Sequence, residues 1–218
     1  SRYSKWLKAF NFHPEIDIVF VSHLLRKSHY SKENDFYFSD LPQKVSKAGF
    51  NSFVIMINQT SRKINSDNQK NLKKTVLPLR LGFYDELQNL GLLLAEYKAL
   101  NKEMHLEENK IKKKVLHFAA IHSLSGSSLA SLRIAMQVSG LVKKLGTSTL
   151  ITTHEGHAWE RKVYDAARKA VQNINCIGYT HTPIFENQHA VKRRMIKQYN
   201  PDTILISGRA QKKQLENY

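Results

Sequence analysis

The chain has 218 residues, 41% of them hydrophobic, which is enough to bury a core and excludes a disordered or collagen-like polypeptide. Its single cysteine, Cys176, excludes an internal disulfide and indicates a reducing, cytoplasmic setting. Lys and Arg number 34 against 18 Asp and Glu, a net charge of +16, and the excess is spread over both halves of the chain. An anionic partner is therefore expected, either nucleic acid, an anionic membrane surface or phosphate-bearing molecules.

No apolar run in the sequence approaches the roughly 18 residues that a membrane-spanning helix requires. The longest runs, residues 53–57 and 115–121, have the length of buried strands. The chain begins with Ser1 and lacks an apolar signal region, which predicts that it is processed or cut from a longer polypeptide.

The first half of the chain predicts a strand, a helix and a second strand. Residues 16–22 (IDIVFVS) form a continuous apolar run, as a parallel strand covered on both faces requires. Asp40, Leu41 and Pro42 then predict the start of a helix that ends at Gly49. A buried strand is predicted at residues 53–57 (FVIMI).

A polar, aperiodic stretch at residues 61–74 predicts an exposed loop. From Tyr84 to about Lys114, apolar residues recur at helical spacing and predict one long helix. One apolar face of this helix is predicted, made of Leu87, Leu90, Leu94, Tyr97, Leu100 and Met104. Lysines at 110–114 would then lie at the negative end of its dipole, which is favourable.

The last hundred residues predict alternating helices and strands. Helices are expected at 127–145, ending at Gly146, at 156–171 and at 186–198. Strands are expected at 149–153, 174–179 and 203–207. Together these elements predict an α/β fold of Rossmann-like type, with a parallel sheet and helices on both faces.

Unusual polar residues follow three of these strands. His154, Glu155, Gly156 and His157 follow the strand at 149–153, and His181 and Thr182 follow the strand at 174–179. Ser207, Gly208 and Arg209 lie at the end of the strand at 203–207. Because ligands bind at the carboxyl ends of parallel strands, we expect these residues to face one common site.

Glu155 is a candidate general base for a hydroxyl nucleophile, since a carboxylate needs only hydrogen-bond reach and a raised pKa for that task. The alternative is that Glu155 caps the helix that follows it. The three histidines are candidates for orienting substrate, donating protons or binding metal. The spacing of His154 and His157 does not fit the zinc-protease motif, and one cysteine excludes a cysteine-based zinc site, so no metal site is predicted.

Two further segments are candidates for contact with anionic ligands. Ser125 and Gly126 precede a helix and present backbone amides to a phosphate, although helix capping explains them equally well. The basic residues Lys192, Arg193, Arg194 and Lys197 lie within six positions, which favours contact with phosphate or acidic lipid headgroups over a plain solvated face.

Three blocks in the last third of the sequence, residues 153–161 (THEGHAWER), 177–182 (IGYTHT) and 199–208 (YNPDTILISG), resemble bacterial surface-carbohydrate biosynthesis proteins of the GT-B glycosyltransferase type. Glu155, Trp159, Glu160, Gly178 and His181 match positions of that family. Thr180 departs from it, since a Gln is expected there.

The resemblance implies a Rossmann-like, acceptor-side domain at residues 1–208, like the N-terminal half of a GT-B enzyme. Residues 209–218 would begin a linker or a second domain. Such a half is expected to be inactive alone and to require a second Rossmann-like domain in the same or another chain. Its expected location is cytoplasmic, at the inner face of the cell membrane if it binds anionic lipid.

The implied activity is transfer of a sugar from a nucleotide-sugar donor to a surface glycan or lipid-linked acceptor, for capsule or lipopolysaccharide, with no cofactor. Catalytic roles are then expected for Glu155, His154 and His181, and substrate contacts for His157, Gly156, Thr182, Ser125, Gly126 and Arg161. Two alternatives stay open, a basic nucleic-acid-binding module, which the lack of a recognition motif disfavours, and a non-catalytic scaffold in glycan assembly.

Overall fold

The computed structural model describes residues 2–8, 16–60, 73–185 and 188–216. Within these ranges, strands and helices alternate along most of the chain. In chain order the elements are α1 (Arg2–Lys8), β1 (Ile18–Leu24), α2 (Lys27–Ser31), α3 (Leu41–Lys47), β2 (Ser52–Asn58), β3 (Lys74–Val76), α4 (Phe83–Leu106), α5 (Lys110–Ser123), α6 (Gly126–Leu145), β4 (Thr149–Thr153), α7 (Ala158–Ala170), β5 (Asn175–Thr180), α8 (His189–Lys192), a 3-10 helix (Lys197–Tyr199), β6 (Thr203–Ile206) and α9 (Arg209–Glu216).

The six strands form one parallel sheet in the order β3-β2-β1-β4-β5-β6. This confirms the predicted α/β, Rossmann-like fold, and the strand order is that of dinucleotide-binding domains. The order reverses direction between β1 and β4. Connections leave these two strands in opposite directions, so a crevice opens at their carboxyl ends.

Helices cover both faces of the sheet, as predicted. On one face, α6 and α7 bury Val138, Leu141 and Val163 against strand residues such as Val19 and Phe53. On the other face, a second cluster surrounds Phe20, Phe38 and Val54. Because β1 and β2 are buried from both sides, their sequences are continuously apolar rather than alternating.

The predicted strands at 16–22, 53–57, 149–153, 174–179 and 203–207 correspond to β1, β2, β4, β5 and β6. The predicted helix at 127–145 corresponds to α6, and Gly146 ends it in the left-handed conformation at φ 66°. These segments carry a clear period and clear end signals, so local sequence was sufficient to place them.

The prediction of one long helix from Tyr84 to Lys114 is wrong, because the chain breaks between α4 and α5. Asn109 starts α5, its side chain accepting hydrogen bonds from the backbone N–H groups of Ile111 and Lys112 at 3.0 and 3.1 Å. The lysines at 110–114 therefore lie in the first turns of a helix, at the positive end of its dipole rather than the negative end. Residues 115–121 are also helical and form no strand.

The first half of the apolar face predicted for α4 is solvent-exposed, and the second half, at Tyr97, Leu100 and Met104, is partly buried. Leu87, Leu90 and Leu94 are 48, 44 and 50% exposed, whereas Asn89 and Leu93 are buried. Contacts with α5 and α6 bury a neighbouring face of α4 instead, and the apolar spacing alone did not identify it.

The prediction of a basic helix at 186–198 is also wrong in extent. Only His189–Lys192 are α-helical, and the 3-10 turn Lys197–Tyr199 follows an irregular stretch. The start of the predicted helix, 186–187, lies outside the described residues, as do 61–72 of the predicted loop. Residue 74 of that loop belongs to β3, a short strand that its polar sequence does not signal.

Residues beyond Gly208 continue as the helix α9. Its Gln211 is buried and bonds to the Ser207 backbone N–H and hydroxyl, and its amide donates to the carbonyl of Thr182. No helix among the described residues has the length and apolarity that crossing a membrane requires.

Candidate functional site

A cavity of about 460 Å³ lies at the carboxyl ends of β1 and β4, where the strand order reverses. We call it the Glu155 cavity. Strand ends, the loop before α3, the start of α6 and the β4–α7 turn supply its walls. Its lining residues are His23, Leu25, Tyr37, Gln59, Ser127, Ser131, Thr153, Glu155, His157, Ala158, Trp159, Glu160 and His181.

Glu155 lies between two histidines in this cavity. His157 Nε2 donates a hydrogen bond to Glu155 Oε2 at 3.0 Å, and His181 Nε2 lies 3.8 Å from Glu155 Oε1. The Glu155 side chain is 30% exposed. The structure thus brings three of the predicted site residues together, and it leaves Oε1 of the carboxylate open to a ligand.

The helix-capping role considered for Glu155 belongs to Glu160. The Glu160 carboxylate is fully buried and accepts hydrogen bonds from the backbone N–H groups of Glu155, Gly156 and His157 at 2.8–3.1 Å. It is the third residue of α7, and His157 is the N-cap, so this is the carboxylate half of a capping box. Because Glu160 satisfies the turn, the side chain of Glu155 is free to face the cavity.

His154 is completely buried and does not line the Glu155 cavity, contrary to its predicted catalytic role. Its Nδ1 lies 3.3 Å from Glu160 Oε2 and 3.4 Å from the hydroxyl of Tyr164. Tyr164 in turn shares a 2.6 Å hydrogen bond with the hydroxyl of Thr152. His154 is therefore a positioning residue for Glu160 rather than a group that reaches substrate in this cavity.

Two glycines permit this arrangement. Gly156 has a φ of +83°, and a Cβ there would lie 2.1 Å from the carbonyl oxygen of Ala190, so its role is close backbone packing rather than the predicted substrate contact. A Cβ on Gly178 would lie 2.8 Å from Cβ and Cγ of His154. Gly178 thereby makes room for the imidazole over β5.

Sequence reasoning missed two aromatic side chains of the cavity, His23 and Tyr37. His23 follows the apolar core of β1, and its ring nitrogens lie 3.2 Å from Gln59 Nε2 and 3.3 Å from Thr153 Oγ1. A histidine at the end of a parallel strand was the available signal. Tyr37 lies in an irregular loop with no such signal, and its ring packs edge-on against His181 with centroids 4.6 Å apart.

Burial shifts the pKa values of these groups toward their neutral forms. Desolvation lowers the pKa of His23 and of His181 below 6.5, against the opposing field of Glu155 and Glu160. Desolvation, and then the charge of Glu155, raises the pKa of Tyr37 above 10.0. The imidazoles of His23 and His181 are therefore neutral and the phenol of Tyr37 protonated near neutral pH.

Other predicted substrate contacts have structural roles. Ser125 is the N-cap of α6 and accepts a hydrogen bond from the Ser128 N–H, and neither Ser125 nor Gly126 lines the Glu155 cavity. The next serine, Ser127, does line it. Thr182 does not line it, and its carbonyl accepts from the amide of Gln211.

Arg161 is buried and is fully engaged with protein groups, contrary to its predicted contact with substrate. Its guanidinium donates to the carbonyl oxygens of Ala190 and Arg193 at 3.1 and 2.8 Å and to Asn200 Oδ1 at 2.5 Å. It ties α7 to the segment around α8, which is the loop-tying role that the sequence also suggested.

Three of the four predicted phosphate-binding residues share a second cavity of about 340 Å³. Lys192, Arg193 and Arg194 line it, whereas Lys197 lies outside it in the 3-10 helix. We call this the basic cavity. It shares no lining residue with the Glu155 cavity.

Within the described ranges, no three His, Cys, Asp or Glu side chains are grouped closely enough to hold a metal ion. No protein-family model matches the chain, and no curated protein or solved structure does so either.

Proposed function

We propose that the chain is the acceptor-binding part of an enzyme that transfers a sugar from a nucleotide-sugar donor to a glycan or lipid-linked acceptor. The observation that carries this proposal is the partly exposed Glu155 carboxylate, held between His157 and His181 at the mouth of a cavity where the strand order reverses. The resemblance of residues 153–161, 177–182 and 199–208 to surface-carbohydrate glycosyltransferases gives the reaction class.

In the proposed reaction Glu155 is the general base. His157 occupies Oε2, so Oε1 receives the proton of an acceptor hydroxyl as the hydroxyl oxygen attacks the anomeric carbon of the donor. The new carbon–oxygen bond forms while the bond to the donor phosphate breaks, and the electron pair leaves with the nucleotide. Among the described residues, no group forms a hydrogen bond with the Oε1 atom, and His181 Nε2 lies 3.8 Å away, which suits this role.

The walls of the cavity suit a sugar acceptor. Trp159 and Tyr37 offer apolar ring faces against which a pyranose packs, and Gln59 and Ser127 supply side-chain hydrogen-bonding groups. Neutral His181, with its pKa lowered by burial, orients the hydroxyl without competing for Oε1 as a cation.

This proposal requires a donor-binding partner, a second Rossmann-like domain in the same or another chain. It also keeps the prediction that the protein works at the cytoplasmic face of the membrane, where lipid-linked acceptors are built.

Acceptor binding by the chain alone is the first test. A panel of bacterial surface glycans and lipid-linked saccharides should yield binders, and Trp159→Ala and His181→Ala should weaken that binding. Mixed-sequence oligonucleotides serve as the competitor. Preferential binding of oligonucleotides would contradict the proposal and favour the nucleic-acid alternative.

Turnover with the donor-binding partner present is the second test. Glu155→Gln should lower the transfer rate by about 10²–10⁴-fold, the range that general-base catalysis supplies, and should leave acceptor binding intact. Glu33→Gln, in the loop before β-bridge residue Asp35 and outside the cavity, is the matched control. Unchanged turnover in Glu155→Gln would remove Glu155 from the mechanism.

A further inference from the structure

The basic cavity is a second site whose charge the Glu155 cavity does not use. Four cationic side chains among the described residues line it: Lys192, Arg193, Arg194 and Arg161, the last of which is bound to protein oxygens. Its acidic lining residue, Asp202, is already paired, since its Oδ2 lies 2.9 Å from Arg168 Nη2 and accepts the N–H of Cys176 at 2.8 Å. Among the described lining residues no other side chain is a carboxylate, so the exposed guanidinium groups of Arg193 and Arg194 give this wall of the cavity a positive charge.

The backbone that carries these cations is held in place. Arg161, buried beneath them, binds the carbonyl oxygens of Ala190 and Arg193 and the side chain of Asn200. Gly156 allows the Ala190 carbonyl to pack against the β4–α7 turn. The cations thus emerge from a fixed wall, unlike those of a solvated basic tail.

A buried side chain with an unpartnered polar atom lines the same cavity. His154 is 0% exposed, and its Nε2 has no hydrogen-bond partner among the described residues. The ring lies over Gly178, whose neighbour on β6, Ile204, is another lining residue. Since Nδ1 faces Glu160 and Tyr164, Nε2 is the nitrogen left to meet a ligand.

We infer that the basic cavity binds a phosphate group, with His154 Nε2 at its base and Lys192, Arg193 and Arg194 around its anionic oxygens. Phosphate suits both parts of the wall. Its oxygens accept hydrogen bonds from the cationic side chains, and a phosphate has both P–OH and P–O groups with which to pair an imidazole nitrogen. A volume of about 340 Å³ is near the lower limit for small-molecule sites, which fits a phosphate on a small molecule better than a polymer segment.

The inference does not depend on the proposed function, because the two cavities share no lining residue. A ligand in the basic cavity would also be connected to the Glu155 cavity through His154 and Glu160. A ligand on Nε2 fixes the ring whose Nδ1 contacts Glu160, and Glu160 holds the turn that presents Glu155.

Calorimetric titration of the intact chain with inorganic phosphate and with a nucleoside diphosphate tests the site. Saturable binding of either ligand is expected, and phosphate should compete with the nucleotide. Lys192→Gln and Arg194→Gln should each weaken binding about tenfold or more, because each removes a charge-assisted contact. Lys197→Gln is the matched control, since it removes one charge from the same sequence cluster outside the cavity and should leave the affinity unchanged.

Two additional measurements identify the site and the source of the phosphate. The ring-nitrogen resonance of His154 Nε2 should shift on addition of phosphate, and Glu155→Gln should leave phosphate affinity unchanged. Vesicles with anionic lipid should not displace phosphate from the cavity. No saturable binding, or an equal loss in the Lys197→Gln control, would overturn the inference, and displacement by anionic vesicles with loss of vesicle binding in Arg194→Gln would assign the cluster to lipid headgroups instead.

Discussion

The two glutamates of the β4–α7 turn lie in opposite environments. On the inner side, Glu160 is fully buried, accepts from three backbone N–H groups and lies 3.3 Å from His154 Nδ1. On the outer side, Glu155 is partly exposed, is held by one histidine and keeps an open oxygen. Five positions apart, one glutamate stabilises the turn and the other is available for chemistry, and the number of protein partners distinguishes them.

The largest expected effect comes from removing the inner carboxylate. Glu160→Ala should lower the free energy of unfolding by about 3–5 kcal/mol, because it leaves three backbone N–H groups of the turn without an acceptor and removes the carboxylate beside His154. Glu155→Ala, the matched change on the outer side, should lower it by no more than about 0.5 kcal/mol. Urea unfolding of both variants measures the difference, and equal losses would contradict the division of roles.

A smaller effect is expected from crowding His154. Gly178→Ala places a Cβ 2.8 Å from the imidazole and should destabilise the chain by about 1–3 kcal/mol. Gly91→Ala is the control, since nothing lies within 4 Å of its Cβ position in α4 and the change should stabilise the helix by about 1 kcal/mol. If Gly178→Ala were as stable as wild type, the imidazole would not be fixed over β5.

Ser125 tests whether a residue outside the Glu155 cavity contacts substrate. Ser125→Ala should cost about 1 kcal/mol in thermal or urea unfolding through loss of the α6 N-cap, and should leave acceptor binding unchanged. Ser127 lines the cavity, so Ser127→Ala should weaken acceptor binding and leave the unfolding free energy unchanged. Weaker acceptor binding in Ser125→Ala with normal stability would restore the substrate contact that the sequence predicted.

The smallest effect is expected in the pH dependence of stability. His23 and His181 have folded-state pKa values below the unfolded value of 6.5, so the unfolded chain binds more protons as pH falls. Their contribution is therefore intact above pH 6.5 and is lost as pH falls through 6.5 toward the lowered folded pKa values.

The double variant His23→Gln, His181→Gln should flatten this slope. Unfolding free energies at about pH 8 and about pH 5.5, compared between variant and wild type, measure the change. An identical slope in the variant would mean that neither histidine is buried in its neutral form.

Sequence reasoning succeeded where local patterns and tertiary packing agree. β4 and α6 were placed because β-branched residues and a terminal glycine mark them. The placement of Glu155, His157 and His181 at one edge followed from parallel strand order. Sequence reasoning misplaced the lysines at 110–114, because the apolar spacing continues through the end of α4 and the start of α5. The boundary depends on the Asn109 side chain, which caps the new helix in the folded chain.

The roles of the glutamates and histidines were also beyond the sequence. Glu155 and Glu160 both lie at the start of α7, and which one caps the turn depends on which carboxylate points inward. His154 directly precedes Glu155 in the chain, yet the His154 side chain is buried and the Glu155 side chain is partly exposed. Successive residues of an extended segment point in opposite directions, which separates the two side chains.

The sequence by itself determined the alternation of strands and helices, the parallel sheet and the edge where polar residues gather, because periodicity and strand polarity are local properties. Only the tertiary structure decided which of those polar residues face a cavity, that His23 and Tyr37 join them, and that three of the four clustered cations line one cavity with His154. Burial and hydrogen-bond partners are set by segments far apart in the chain, and the folded arrangement assigns them.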